Sequence, residues 1–347
     1  MTATLLDEMR TGIAPPIVPI SVDQLEQMLR AGILQDGQPI ELIDGLLVRK
    51  DRSSTGEDAM THNPAHATLV ARLVRRILLQ CQDDACAVRS QLPIVLGDLQ
   101  ALEPDLVVDI KRIDGMRKIS MDKGRFRIGA AVSGAEVGEH AELNKAWPGV
   151  VDAAHLIGST QVRGRASLVG NLCNASPAAD SVPALVAADA IAVVAGPKGR
   201  REVPVIDIPT APGKTSLAKD EIVEAILLPA KLANTGDAYL RFIPRTEMDI
   251  AVVGVGVCLT IDGDGTCRNA RVALGAVGPR VILSEACARA LIGTKVDDAA
   301  LSKLAAAASA AATPIDDKRG TKEFRTDVTG VLAKRAAKIA LERAKGK

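Results

Sequence analysis

Aromatic side chains are nearly missing from this chain. Among 347 residues, Phe126, Phe242, Phe324, Tyr239 and Trp147 are the full set, 1% of the total. Proteins that hold single-stranded nucleic acid stack bases on aromatic rings, so a platform of that kind is excluded. An excess of one charge is missing too. With 43 Lys+Arg against 42 Asp+Glu, the net charge of +1 leaves no basic field for DNA and no acidic one for cations. The six cysteines (Cys81, Cys86, Cys173, Cys258, Cys267 and Cys287) contain no CxxC pair. Only Cys81 and Cys86 are close, and their spacing suits neither a zinc site nor an iron–sulfur ligand set, so reduced structural thiols are expected. No uninterrupted apolar segment of spanning length and no signal-type apolar core opens the chain. The expectation is a soluble, cytoplasmic protein without membrane attachment. What is present is 47% hydrophobic residues, enough for two or three domains with proper cores.

The stretch Leu156 to Asp180 stands out. Gly158, Gly164 and Gly170 let a ligand approach the backbone, while Ser159, Thr160, Ser167, Asn171, Asn174 and Ser176 supply small polar groups. Asp180 precedes the apolar helical run Val182–Ala187, which predicts a carboxylate near a helix N-terminus. Such a loop suits the hydroxyls and phosphates of a nucleotide. Composition alone favours a Gly/Ser-rich connection with no ligand.

Ahead of it, residues 1–20 carry Pro15, Pro16 and Pro19 and read as a flexible arm. Ser21 and Gln24 form a capping box for a helix over Val22–Ala31, and Asn63-Pro64 starts a second helix whose apolar face runs to Leu78. Strands are expected over Ile40–Ile43 and Leu46–Arg49, joined by Asp44-Gly45, and then over Ala87–Ser90, Ile94–Leu96 and Asp105–Ile110. This order, with Glu41 in the first hairpin and Glu103-Pro104-Asp105, resembles the first half of the Uma-type PD-(D/E)xK nuclease-like proteins over about residues 21–109. The resemblance implies that Glu41 and Asp105 would hold a divalent metal. Alternation would place Asp105, Asp109 and Lys111 on one strand face, whereas the second carboxylate should come from a neighbouring strand. A retained scaffold without nuclease activity is therefore the expectation. His62 and His66 read as helix-start polar residues rather than metal ligands.

From Val108 onward the chain resembles the FAD-binding medium subunits of molybdenum hydroxylases, the group of carbon monoxide dehydrogenase and xanthine dehydrogenase. Their pattern I-G-x-x-Q-V-R-N-R-G-T-I-G-G-N/S-L-x-x-A-x-P-x-x-D is met by Gly158, Gln161, Val162, Arg163, Arg165, Gly170, Asn171, Pro177 and Asp180. Ala166 and Val169 stand where the family has Gly. A β-branched residue adopts φ > 0 only at a cost, so a reshaped loop is expected there. The resemblance implies FAD as cofactor, contacted by Ile157, Ser167, Leu168, Val169, Gly170, Asn171, Asp180 and, from Tyr239-Leu240-Arg241-Phe242, by Arg241. A surface arginine is the alternative for Arg241. Ile157 sits where some relatives carry an aromatic residue, so stacking on the flavin would be weaker. No catalytic residue and no metal ligand is assigned to this part.

Around that loop, Ser133 with Glu136 predicts a capped helix, and Trp147-Pro148-Gly149 precedes one over Val150–Leu156. Strands are expected over Phe126–Ala131, Ile191–Ala195, Val203–Ile206 and Glu221–Leu228, then a hairpin of Ala251–Ile261 with Ala270–Leu274. Helices should follow over Ser284–Ile292, Asp297–Ala312 and Val331–Ala344. The expected class is α+β: an arm (1–20), a nuclease-like fragment (21–109), a second FAD-binding subdomain (110–232) and a flavoprotein C-terminal domain (233–347). By the resemblance, the protein is an oxidoreductase subunit. It would carry electrons through FAD in a complex with an iron–sulfur subunit and a molybdenum-cofactor subunit, with no nucleic acid and no membrane. The family's glycine-rich A-G-G-x-S/T-L-L-P motif, which cradles the FAD pyrophosphate, is absent. The nearest text, Arg89-Ser90-Gln91-Leu92-Pro93, lacks both glycines, so weak FAD binding is expected.

Overall fold

A computed structural model describes residues 107–245 and 249–346 continuously, with the strand segments 40–43, 46–49, 87–89, 94–95 and 101–102 and the single positions 28 and 31 before them. The chain divides into two compact units, Met1–Arg112 and Ile113–Lys347. In the first, β1 (Ile40–Ile43) and β2 (Leu46–Arg49) pair antiparallel with Ile43 opposite Leu46, the register that a two-residue connection imposes. The strands β3 (Ala87–Arg89), β4 (Ile94–Val95), β5 (Ala101–Leu102) and β6 (Val107–Asp109) complete two small sheets, ordered β2-β1-β5-β4 and β3-β6. The expected helix from Asn63 lies outside the described residues, as do His62, His66, Asp105 and the side chain of Glu41; of the helix over Val22–Ala31, Met28 is described and helical. One expectation fails locally. Lys111 does not continue the strand but sits in a 3-10 turn, Ile110–Arg112, and its ammonium folds back onto Asp109 Oδ1 at 2.9 Å.

In the second unit, β7 (Ile119–Asp122) and β8 (Arg125–Gly129) form a hairpin. Helices α1 (Gly134–Glu139), α2 (Ala141–Ala146) and α3 (Pro148–His155) follow. The predicted capping box closes α1: Ser133 Oγ accepts from Glu136 N at 3.2 Å, and Ser133 N donates to Glu136 Oε2 at 2.9 Å. The polar stretch contains α4 (Thr160–Arg163) and α5 (Leu168–Cys173), and α6 (Ser181–Ala187) leaves it. Then β9 (Ile191–Gly196), β10 (Gly199–Pro204), the small hairpin β11 (Pro209–Ala211) and β12 (Lys214–Thr215), and β13 (Ile222–Leu228) complete an antiparallel sheet of order β10-β9-β13-β8-β7.

A second antiparallel sheet, β14-β15-β16-β17, follows: β14 (Thr235–Phe242), β15 (Val253–Ile261), β16 (Cys267–Gly275) and β17 (Ile282–Leu283). Its two faces serve different neighbours. Ala238, Val253, Val255, Val257 and Leu259 point into an aliphatic core shared with α7 (Glu285–Leu291), α8 (Asp298–Ala311) and α9 (Lys322–Ala344). Alternation turns Gly254 and Gly256 to the other face, where α6 lies so close that a Cβ on Gly256 would strike Pro183 O and one on Gly275 would lie 2.5 Å from Pro183 Cγ. Helix α9 begins at Lys322, nine residues before the expected start. Gly330, just before the expected start, is internal to the helix, and a Cβ there would lie 2.7 Å from Ser309 Oγ and 2.9 Å from Ala305 O of α8. It is a packing contact, not a break.

Candidate functional site

Two short helices replace the loop expected between Leu156 and Asp180. Gly158 turns the chain at φ +60°, Ser159 Oγ accepts from Val162 N to cap α4, and Arg163 locks the turn by donating to His155 O and to Thr160 Oγ1 at 2.8 Å. Ser167 caps α5, its Oγ accepting from Gly170 N at 3.0 Å. Val169 lies inside α5 with its side chain buried and needs no positive φ; in this stretch only Gly158 and Ala175 take one. Helix α5 therefore absorbs the missing glycine at 169, and Ala166, between α4 and α5, takes no positive φ either.

Asp180 lies at a helix N-terminus, as expected. Asp180 stands at the N-cap position of α6 but makes no capping bond. That duty falls to Asn171, whose Oδ1 accepts from Ser181 N at 3.1 Å and from Ser181 Oγ at 2.6 Å. The Asp180 carboxylate turns to β14 instead: Tyr239 Oη donates to Oδ1 at 3.1 Å and Arg241 Nη1 to Oδ2 at 2.7 Å. Arg241 is no surface arginine, since its side chain is 7% exposed. Burial pushes the Asp180 carboxyl up to about 6, against the opposing pull of Arg241 and Tyr239, and burial also lifts the Tyr239 phenol well above its ordinary value.

The structure thus brings Asn171, Asp180 and Arg241 into one neighbourhood, with Ser167, Leu168, Val169 and Gly170 forming the first turn of α5 and Ile157 buried at the end of α3. The sequence reading missed Tyr239 and Gly254. The signal was available, because Asp237, Tyr239 and Arg241 alternate along β14 and share a face. A second cluster sits on that face: Asp237 accepts from Lys231 Nζ at 2.6 Å and from Val150 N, at the start of α3, at 3.2 Å.

The residues fit a flavin nucleotide on three observations. Gly170 is exposed on the first turn of α5, where the nearest atom to a Cβ would be Ser167 Oγ at 3.3 Å. Arg241 Nε is buried without a partner among the described residues. The Asp180 carboxylate, with one donor on each oxygen, keeps lone pairs for ligand hydroxyls. Among the described residues no His/Cys/Asp/Glu group could hold a metal, and no helix is long and apolar enough to cross a membrane.

Comparison with known proteins gives the same reading. Residues 76–231 match the FAD binding domain in molybdopterin dehydrogenase, and residues 238–340 match the CO dehydrogenase flavoprotein C-terminal domain. The chain is 30% identical over 254 residues to the carbon monoxide dehydrogenase medium chain of Hydrogenophaga pseudoflava, covering 73% of this chain and 87% of that one. The xanthine dehydrogenase FAD-binding subunit of Escherichia coli O157:H7 is 28% identical over 243 residues, 70% of this chain and 83% of the relative. Among solved structures, the carbon monoxide dehydrogenase of Hydrogenophaga pseudoflava lacking the Mo-pyranopterin moiety superposes with a TM-score of 0.65 at 32% identity, over 68% of this chain and 81% of that one. The nuclease-like reading of residues 21–109 finds no support, and the FAD-binding match already begins at residue 76, inside that stretch. On its fold, its loop and these relatives, the chain belongs to the family of FAD-binding medium subunits of molybdenum hydroxylases and is an oxidoreductase flavoprotein subunit.

Proposed function

We propose that this chain holds FAD between the first turn of α5 and the Asp180–Arg241 pair, and works as the flavin-bearing electron carrier of a cytoplasmic complex with an iron–sulfur subunit and a molybdenum-cofactor subunit. The observation that carries the reading is the Asp180–Tyr239–Arg241 cluster at the end of the family's flavin signature. Bound FAD supplies reversible electron acceptance; the protein supplies orientation and electrostatics. Ile157, Ser167, Leu168, Val169 and Gly170 would lie along the flavin nucleotide, Gly170 because it keeps no side chain between ligand and backbone. Asn171 holds the α6 terminus through Ser181 and acts on the site indirectly. Asp180 would accept ligand hydroxyls, and the Arg241 charge would offset the negative charge that a nucleotide brings.

The test is a titration of the flavin-free full chain with FAD, read by quenching of flavin fluorescence. Asp180→Ala should bind FAD at least tenfold more weakly than the parent, and equal affinity would refute the assignment. Because no A-G-G-x-S/T-L-L-P motif is present, the parent itself should bind weakly and lose flavin on gel filtration in salt. Tight stoichiometric binding would show that residues ahead of 107 rebuild the cradle.

A further inference from the structure

We propose that Tyr239 is a positioning residue for the flavin site, its hydroxyl holding the Asp180 carboxylate in the orientation that meets a ribose or ribityl hydroxyl of the ligand. This rests on reading Asp180 as a flavin ligand.

Three independent observations meet here. First, Asp180 has been released from the role its place in the chain would give it. It directly precedes α6, yet Asn171 Oδ1 takes both the Ser181 amide and the Ser181 hydroxyl, leaving the Asp180 carboxylate with no work at the helix. Second, both carboxylate oxygens are fixed from a single strand. Tyr239 Oη donates to Oδ1 at 3.1 Å and Arg241 Nη1 to Oδ2 at 2.7 Å, from residues two apart on one face of β14. A single ion pair would let the carboxylate rotate about its own axis; a second donor on the other oxygen stops that. Third, the fold makes room for the hydroxyl. Gly254 of β15 lies under the Tyr239 ring, and a Cβ there would come within 2.6 Å of Oη and 3.3 Å of Cζ. A ring that only filled volume would need no hydroxyl, and a buried phenol needs a partner.

The ligand chemistry follows from charge. An ionised carboxylate is acceptor-only, so it binds hydroxyls and repels a pyrophosphate. The charged and titratable groups that face Asp180 are Arg241 and Tyr239, both from β14. Loss of the Tyr239 donor raises the proton affinity of Asp180, so the pH dependence of ligand binding should move with it.

The experiment titrates the full chain with FAD between pH 5 and pH 8, comparing parent, Tyr239→Phe, Gly254→Ala and Asp180→Asn, with circular dichroism as a fold check. Tyr239→Phe keeps the ring and removes the hydroxyl; it should weaken FAD binding about tenfold, the value of one hydrogen bond to a charged group. Its pH midpoint for binding should also rise above that of the parent. Gly254→Ala, which keeps the hydroxyl but pushes it from its place, should change both quantities in the same direction. If Tyr239→Phe leaves affinity and midpoint unchanged while Asp180→Asn weakens binding, Tyr239 only packs and the inference is overturned, with the flavin reading intact. If Asp180→Asn also binds as the parent does, the flavin reading fails and takes this inference with it. Should Tyr239→Phe not fold, Gly254→Ala decides: unchanged affinity and midpoint overturn the proposal.

Discussion

Two buried carboxylates lie along the same strand face, and they are treated differently. Asp237 is closed in: Lys231 donates to Oδ1, Val150 N to Oδ2, and Arg343 Nη1 bridges the Asp237 carbonyl and Asp152 Oδ2 at 2.8 Å each. The Lys231 ammonium also stands 4.8 Å over the Trp147 ring, and Gly149 is bare because a Cβ there would lie 2.6 Å from Asp237 Oδ2. Asp180 likewise has one donor on each oxygen, but its cation, Arg241, keeps a buried Nε without a partner among the described residues, as Trp147 Nε1 does beside Lys231. What sets the Asp180 cluster apart is that its unmet buried donor belongs to a charged guanidinium, the group that the function proposed above turns toward the nucleotide. The first cluster anchors α3 to the C-terminal sheet. In the function proposed above, the second meets the nucleotide.

The largest effect should come from breaking the closed cluster. Asp237→Ala leaves Lys231, whose side chain is 15% exposed, as an uncompensated buried cation, at a cost of about 3–5 kcal/mol. Thermal unfolding should show a fall in Tm on the order of 10 °C. A fall of only a degree or two would mean that the Asp237–Lys231 pair is not a structural anchor.

Asp180 should show itself through pH. Its folded carboxyl is raised to about 6 from an ordinary value of 3.8, so between about pH 4 and pH 6 the folded state binds the proton that the unfolded state has lost. The contribution of this group therefore falls as pH rises through that window and is flat above it, a total of roughly 2–3 kcal/mol. Denaturant unfolding of parent and Asp180→Asn across pH 4–7 should differ by that slope, the variant lacking it. Parallel curves would show that Asp180 does not titrate there.

A smaller loss is expected where α6 rests on the strand that both clusters share. Gly256→Ala drives a methyl into Pro183 O, and overpacking of this kind costs about 1–3 kcal/mol. Because α6 begins beside Asp180, flavin affinity should drop as well; a stable variant with unchanged affinity would separate α6 from the site. The smallest effect is the control. The Arg289–Glu285 pair, 70% and 85% exposed, is an ion pair of similar length at 3.1 Å, yet Glu285→Gln should move Tm by less than about 1 °C. A larger shift would undermine the use of burial to rank these pairs.

Much of this was legible in the sequence. Alternation and turn chemistry placed β15 with β16 and the hairpin β1–β2 in the pairings observed, because strand parity and a two-residue Asp-Gly connection are local signals. The strand expected over Val203–Ile206 instead runs over Gly199–Pro204 as β10 and gives way to a 3-10 turn over Val205–Asp207. The capping box of α1 is equally local. Three things were not legible. The first nine residues of α9 were missed, and Gly330 within it serves as packing against α8, which no local signal announces. Asp180 lies at the helix N-terminus as read, but that its carboxylate makes no cap was hidden, since Asn171, ten residues before Ser181, accepts from the Ser181 amide. The burial of Arg241 goes with its ion pair to Asp180 at the start of α6, a helix that lies against Gly256 and Gly275, a tertiary fact that no single strand announces.

The contact between Arg343 and Asp152 has a consequence in time. It joins residues 191 positions apart, and α3, whose end leads into the flavin stretch, is gripped by it together with Asp237. A growing polypeptide meets its sequence in order, so α3 leaves the ribosome long before the residues that clamp it. Flavin uptake is therefore expected only after synthesis has passed residue 343. Ribosome-stalled chains ending before α9 should take up no FAD, whereas chains extended to expose Arg343 should. Uptake by the shorter chains would show that the clamp is not required.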